Sequence, residues 1–232
     1  MIGADGDGPA AEPTMVGLGQ AGWAETVLAA LAASACVVLP TDTVYGVAAR
    51  ADRPEAIDRL QAAKGRGDDF PPPVLLADPA DLAGLVGAVP GAAARLAELF
   101  WPGPLTLVLP LAAGADPRLG PQSASLALRV PDLDLLRQLL RRSGPLACSS
   151  ANRHGQPPAT TVGQARAALG PAVACYVDGG PRPGPTPSSI VSFVDGPDGR
   201  LLRRGRLDAA ALAEAAPRLR LGPADPNGPE AG

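Results

Sequence analysis

From about residue 23 to residue 216 the chain alternates short apolar runs with amphipathic, helix-patterned stretches. Val37–Leu39, Val74–Leu76, Leu105–Leu109, Leu146–Cys148 and Val173–Val177 are too short for helices and are bounded by Pro, Gly or polar residues. Buried strands have that signature. The stretches between them carry helix start and stop signals. Pro54 opens one and Gly65 closes it, Asp132 caps another, Thr161 and Gln164 form a capping box, and Asp208 caps a last helix. Further helices are expected from Asp78 through Val86 and from Gly91 to Phe100. Ser188–Val194 and Arg200–Arg204, joined across Asp195–Gly199, read as a hairpin. Strands alternating with helices restrict the chain to the α/β class, and the hairpin makes the sheet mixed. The expectation is one α/β domain over residues 21–216: a twisted, mixed open sheet with helices on both faces. Residues 1–20 and 217–232 are expected to be disordered tails.

Hydrophobic residues make up 46% and aromatics 3%, so the core must be built mainly of Leu, Val and Ala. The net charge of −3 speaks against a protein that coats polyanions. Three cysteines without CxxC spacing fit buried small hydrophobes in a reducing cytosol. No apolar run approaches the roughly 18 residues of a membrane span, and residues 1–20 lack the pattern of a signal peptide. A cytoplasmic, membrane-free chain is expected. Of the 20 Lys and Arg residues, Lys64 is the only lysine.

Polar residues collect beside the expected strands. Pro40 must end the first strand, and Thr41, Asp42 and Thr43 then place three oxygen-bearing side chains on one turn. That turn is either a plain connection or the edge of a ligand site at a strand end. Ser149-Ser150-Ala151-Asn152 repeats the pattern after a later strand. In Ser125–Val130, Leu126, Leu128 and Val130 point one way while Ser125, Ala127 and Arg129 point the other. The second face is either solvated or the floor of a site.

No P-loop, GxSxG, HExxH or Cys/His metal spacing is present. Gly17–Gly22 has the form GxGxxG and Asp42 follows at a Rossmann-like distance, but Glu12–Val16 is a poor strand to precede it. His154 reads as a loop residue. What remains is Thr41, Thr43, Lys64, Arg66, Ser125, Arg129, Ser150, Asn152, Ser188 and Arg203. These hydroxyls, amides and cations include no strong general base. They suit chemistry run by positioning and charge neutralisation, such as transfer from ATP. From the residues alone the inference stops at an anion-binding α/β enzyme.

Eight blocks then carry a resemblance. In order they are Pro40–Gly46, Lys64-Gly65-Arg66, Phe100–Leu107, Leu128–Pro131, Ser150-Ala151-Asn152, Asp178-Gly179-Gly180, Ser188–Val191 and Leu202-Arg203. The chain is similar to the YrdC/TsaC family, the threonylcarbamoyl-AMP synthases, in the short form without an extra C-terminal domain. The resemblance implies a concave basic cavity on a twisted mixed sheet. It implies formation of threonylcarbamoyl-AMP and pyrophosphate from L-threonine, bicarbonate and ATP with Mg²⁺, for modification of tRNA. The partners implied are a downstream threonylcarbamoyl transferase machinery and tRNA itself. By matching positions, Thr41 or Thr43, Arg129, Ser150 and Ser188 would hold threonine. Lys64, Arg66, Ser125, Asn152, Thr160 and Arg203 would hold ATP, with Lys64 and Arg66 as the catalytic pair. Departures from the commoner pattern are Gly67 for Pro, Phe70 for Asn, Leu75 for His and Pro187 for Glu. Two alternatives stand beside this: a non-catalytic double-stranded RNA-binding module on the same fold, and an NAD(P)-binding oxidoreductase using Gly17–Gly22.

Overall fold

Val37, Val38 and Leu39 are all buried, yet they serve two different cores. They belong to β2 (Val37–Pro40), and the period of two along a strand sends alternate side chains to opposite faces. Val37 and Leu39 pack with Trp23, Val27 and Leu31 of α1 (Trp23–Ala32) and with Leu136, Leu139 and Leu140 of α4 (Asp134–Ser143). Val38 packs with Leu60 of α2 (Pro54–Lys64) and with Ala165 and Leu169 of α5 (Val162–Leu169). Helices therefore lie on both faces, as expected. The computed structural model describes residues 12–65, 71–112 and 124–221.

The other strands are β1 (Thr14–Gly17), β3 (Tyr45–Arg50), β4 (Val74–Leu75), β5 (Leu105–Pro110), β6 (Ser125–Arg129), β7 (Leu146–Ser150), β8 (Cys175–Asp178), β9 (Ser189–Ser192), β10 (Arg200–Arg203) and β11 (Arg220–Leu221). Together with β2 they form one sheet in the order β1-β8-β2-β3-β7-β4-β6-β5-β9-β10-β11. It is mixed: β4 runs parallel to β6 and β5 to β9, whereas β3 is antiparallel to β7 and β9 to β10.

Leu105, Leu107, Leu109, Leu126, Leu128 and Val191 form a third core with α3 (Gly91–Phe100) and α6 (Ala209–Ala215), through Leu96, Trp101 and Leu212. Ala147 of this core pairs with Ala49 of the α2/α5 core, so both cores lie on the same face. Among the described residues, the opposite face is covered by α1 and α4 at one end only. Its remainder, the face of Thr106, Val108, Ala127, Arg129 and Ile190, lines a cavity.

Local signals explain the helix ends. Gly65 closes α2 with φ 62°, a left-handed position that glycine adopts freely. Thr161 and Gln164 form the expected capping box, and the Asp208 side chain accepts from the Ala210 amide. Four expectations need correction. Thr14–Gly17 is a strand, paired parallel with β8, where a tail was expected. An edge strand buries little, so it needs no continuous apolar run. At the other end β11 pairs with β10 inside the region expected to be tail. The stretch from Asp78 forms only a 3₁₀ turn, Pro79–Leu82, before an isolated bridge between Val86 and Leu111. The helix expected to be capped by Asp132 is capped one residue later, by Leu133, and begins at Asp134. Residues 1–11 and 222–232 lie outside the described residues.

Candidate active site

The turn joining β2 to β3 is closed by Thr41. Its Oγ1 accepts from the amides of Thr43 at 3.1 Å and Val44 at 3.3 Å, and donates to the Val44 carbonyl at 2.7 Å. It also lies 3.1 Å from Thr43 Oγ1. One proton and two lone pairs are then in use. Thr41 serves the turn, whereas Thr43 Oγ1, fully buried, accepts from Arg129 Nη1 at 3.1 Å. From behind, the Arg182 guanidinium donates to the carbonyls of Thr41, Gly179 and Gly180, and Tyr45 Oη donates to Gly180 at 2.8 Å. These bonds fasten the 179–182 loop to the turn.

Arg129 sits on the open face of β6 and is 6% exposed. Besides Thr43, its Nε donates to the Gly103 carbonyl at 3.0 Å and its Nη2 to Asp42 Oδ1 at 2.6 Å. A buried guanidinium needs such compensation. It has five N–H groups, and three hydrogen bonds leave two without a partner among the described residues.

The cavity has a volume of 410 Å³. Thr41, Thr43, Arg129, Ser150, Asn152, Ser188 and Arg203 all line it, so seven of the residues singled out from the sequence meet at one place. They meet on the open face of the sheet, bounded by the 41–44 turn, rather than at the strand ends. Leu75, Val108, Ile190 and Leu202 form its apolar wall. Ser188 Oγ lies 2.8 Å from Thr106 Oγ1, and Arg203 donates to the Ser188 carbonyl at 2.9 and 3.1 Å and to its Oγ at 3.2 Å.

A second cavity of 630 Å³ adjoins the first, sharing Asn152, Gln156 and Pro158. Thr160 lines only this one, with its Oγ1 donating to Gln164 Oε1 at 3.0 Å. At the junction, Asn152 Nδ2 donates to the carbonyls of Arg153 at 2.9 Å and Gln156 at 2.6 Å. Two carbonyl partners settle which way this amide points. Asn152 Oδ1 is buried with no partner among the described residues. Such an orphaned acceptor marks a place where a ligand donor fits.

Lys64 and Ser125 line neither cavity. Lys64 is 4% exposed, and its Nζ donates to the carbonyls of Ser150 at 2.5 Å and Asn152 at 2.9 Å. The His154 amide donates to the Lys64 carbonyl at 2.9 Å. The lone lysine thus ties the 150–154 loop to the end of α2. Ser125 starts β6 opposite Pro110. Arg66, Gly67 and Phe70 lie outside the described residues. The sequence reading missed Thr106 and Arg182 as parts of this site, and Asp42 as the partner of Arg129. Thr106 was within reach: Leu105, Leu107 and Leu109 enter the core, which puts Thr106 on the site face.

The cavity holds no ready thiolate. Burial pushes the Cys148 thiol, in its wall, up to about 12 and the Cys36 thiol up to about 11, and it raises Cys175 as well. The thiolate is the reactive form. Iodoacetamide at pH 8 is therefore expected to leave the native chain unmodified and to add three groups after denaturation. Mass spectrometry reads both, and rapid native labelling of Cys148 would contradict the burial. Among the described residues no group of three or more His, Cys, Asp or Glu is placed to hold a metal ion. No helix among them is long and apolar enough to cross a membrane. Gly17–Gly22 follows the edge strand β1, not a strand at a switch point inside the sheet, and Asp42 is engaged by Arg129. A dinucleotide site is not favoured.

The Sua5/YciO/YrdC family model, described as "Telomere recombination", matches residues 29–205. A Mycobacterium tuberculosis protein, named only provisionally as a threonylcarbamoyl-AMP synthase, is 41% identical over 189 residues, covering 82% of this chain and 87% of its own. The Bacillus subtilis threonylcarbamoyl-AMP synthase is 40% identical over 161 residues, 68% of this chain and 46% of that protein. Among solved structures, Pyrococcus abyssi Sua5 complexed with L-threonine superposes with a TM-score of 0.82 at 30% identity, covering 90% of this chain and 62% of that one. Escherichia coli YciO shares the fold, with a TM-score of 0.74 at 19% identity, over 88% of this chain and 98% of that one. With its ordered sequence blocks, its mixed sheet and a family match over most of its length, the chain belongs to the Sua5/YciO/YrdC family.

Proposed function

We propose that the chain is an L-threonylcarbamoyladenylate synthase, a nucleotidyltransferase that makes threonylcarbamoyl-AMP, pyrophosphate and water from L-threonine, bicarbonate and ATP. Arg129 carries this reading. A buried arginine in a cavity wall, with two N–H groups that have no partner among the described residues, is suited to receive one carboxylate. Relatives named for this activity and a threonine-bound neighbour support the choice of amino acid.

In this reading the threonine carboxylate takes the Arg129 fork, and Thr43 rather than Thr41 lies beside it. Ser150 and Ser188 line the same cavity. ATP spans both cavities and crosses at Asn152, with Arg203 on one side and Thr160 on the other. Phosphate oxygens only accept, so Asn152 Oδ1 meets an N–H or O–H of the nucleoside. The threonine amine attacks the bicarbonate carbon, water leaves, and a carbamate forms. A carbamate oxygen then attacks the α-phosphorus, and pyrophosphate departs. The residues contribute alignment and charge neutralisation, since no strong base is among the described residues that line the cavity. Mg²⁺ enters with the triphosphate as part of the substrate, which fits a wall that, among the described residues, offers hydroxyls and amides and no clustered acids. Lys64 acts through the carbonyls of Ser150 and Asn152. Arg66 and Ser125 complete the nucleotide set implied by the family. The product feeds tRNA modification through a separate transferase, in the cytoplasm where ATP and tRNA are found.

Purified chain with ATP and Mg²⁺ is expected to release pyrophosphate only when threonine and bicarbonate are both present. Release that ignores threonine, or none at all, refutes the assignment. Relatives named as synthases, and not as RNA-binding proteins, set the double-stranded RNA-binding module second.

A further inference from the structure

Asp42 is the acidic residue that touches the cavity's arginine, and the mechanism above gives it nothing to do. It stands between the two threonines of the 41–44 turn. Its side chain is 12% exposed, and that of Arg129 is 8% exposed. Asp42 does not line the cavity, although Thr41, Thr43 and Val44 on either side of it do. Its carboxylate therefore approaches the guanidinium from outside the ligand space, meeting Nη2 at 2.6 Å.

We propose that Asp42 is a positioning residue that sets the orientation of Arg129 for the carboxylate of the bound amino acid. The inference rests on the threonine reading of the cavity. A guanidinium turns about its terminal bonds, and each partner fixes one direction. The Gly103 carbonyl at Nε restrains the stem, and Thr43 at Nη1 is a neutral hydroxyl that also answers to Thr41. Asp42 supplies the one ionic contact among the described residues, the shortest of the three. A fork offers two parallel N–H groups only while its plane is held, and a carboxylate is recognised by that plane. Asp42 and Thr43 are neighbours on one turn, so two of the three restraints come from a single rigid element. That turn is closed by Thr41 and anchored by Arg182.

Asp42 lines neither cavity, so its removal is expected to be felt in threonine binding through Arg129 alone. Threonine affinity is measured by calorimetry without ATP, and KM and kcat by pyrophosphate release. Asp42→Ala is expected to weaken threonine at least thirtyfold in both assays, with kcat at saturating threonine and KM for ATP within threefold of the parent. Asp42→Asn keeps the acceptor oxygen without the charge and is expected to recover most of the loss, three- to tenfold weaker than the parent at an unchanged melting temperature. Threonine affinity unaltered in Asp42→Ala overturns the proposal. So does a parallel rise in KM for ATP with a fall in kcat, which marks general damage. Should Asp42→Ala fail to fold, Asp42→Asn decides alone, and parental threonine affinity there overturns the proposal. Failure of the parent chain to bind threonine refutes the functional reading instead, which keeps the two apart.

Discussion

Arg129→Met is expected to abolish measurable threonine binding and to destabilise the fold, whereas Arg129→Met combined with Asp42→Asn is expected to restore the fold but not the binding. Two charge-assisted hydrogen bonds to a carboxylate contribute about 1.5–3 kcal/mol each. Their loss weakens threonine by a factor of roughly 100 or more, at about 1.4 kcal/mol per decade. The single variant also strands Asp42 beside Thr43 in a site where its partner was 8% exposed. Removing one member of a buried pair costs about 3–5 kcal/mol, while replacing both by apolar or neutral groups of similar size is often close to neutral. The double variant therefore separates charge compensation from ligand recognition. Arg129→Lys keeps the charge without the fork and is expected to bind threonine poorly as well. Thermal melting and threonine calorimetry on the three variants are the measurements. Threonine binding by the folded double variant would show that the carboxylate sits elsewhere.

The orientation of Arg129 could be read from the sequence, but its surroundings could not. Alternation along residues 125–130 put Ala127 and Arg129 on the face opposite Leu126 and Leu128, and the structure places both in the cavity wall. The polar turn at 41–43 was legible for a similar reason, because Pro40 must end a strand there. Asp42 was not legible as the partner of Arg129, because 87 residues separate them and nothing local marks the pairing. The bonds of Lys64 were hidden for a different reason. Its acceptors are backbone carbonyls, which every residue carries. Its ammonium is turned to the loop that carries Ser150 and Asn152. The position of the cavity also escaped. A strand-end site is the rule when helices cover both faces of a sheet. Here, among the described residues, α1 and α4 leave part of one face open, and no sequence pattern announces missing cover. β1 was passed over because strand signals are strongest for buried strands, and this one lies at the edge.

Gly205→Ala is expected to be among the most damaging single-methyl additions in the chain. A Cβ at Gly205 would lie 2.3 Å from both Ser188 C and Ser189 N, and 2.5 Å from the Pro187 carbonyl oxygen. These are backbone atoms at the start of β9 and cannot turn aside as a side chain can. Position 205 crosses β9 closely because Ser189 Oγ accepts from the amides of Gly205 at 3.0 Å and Leu207 at 3.1 Å. The Arg206 amide adds a bond to the Pro187 carbonyl at 3.0 Å. To admit the methyl, the 203–207 segment must lift, which breaks these bonds and drags Arg203 from Ser188. Overpacking of this kind costs about 3 kcal/mol, a fall of roughly 6–12 °C in Tm for a domain of this size. The site should suffer beyond the fold, because Ser188 belongs to the cavity wall. Threonine affinity is expected to drop at temperatures where the variant is still folded. Gly91→Ala is the control: at the start of α3 its Cβ meets nothing within 4 Å. A small gain from lost chain entropy, about 0.4–1 kcal/mol, is expected there. Melting curves of the two variants beside the parent decide the matter, and a Gly205→Ala chain as stable as Gly91→Ala would mean that β9 and the 203–207 segment are not in close contact.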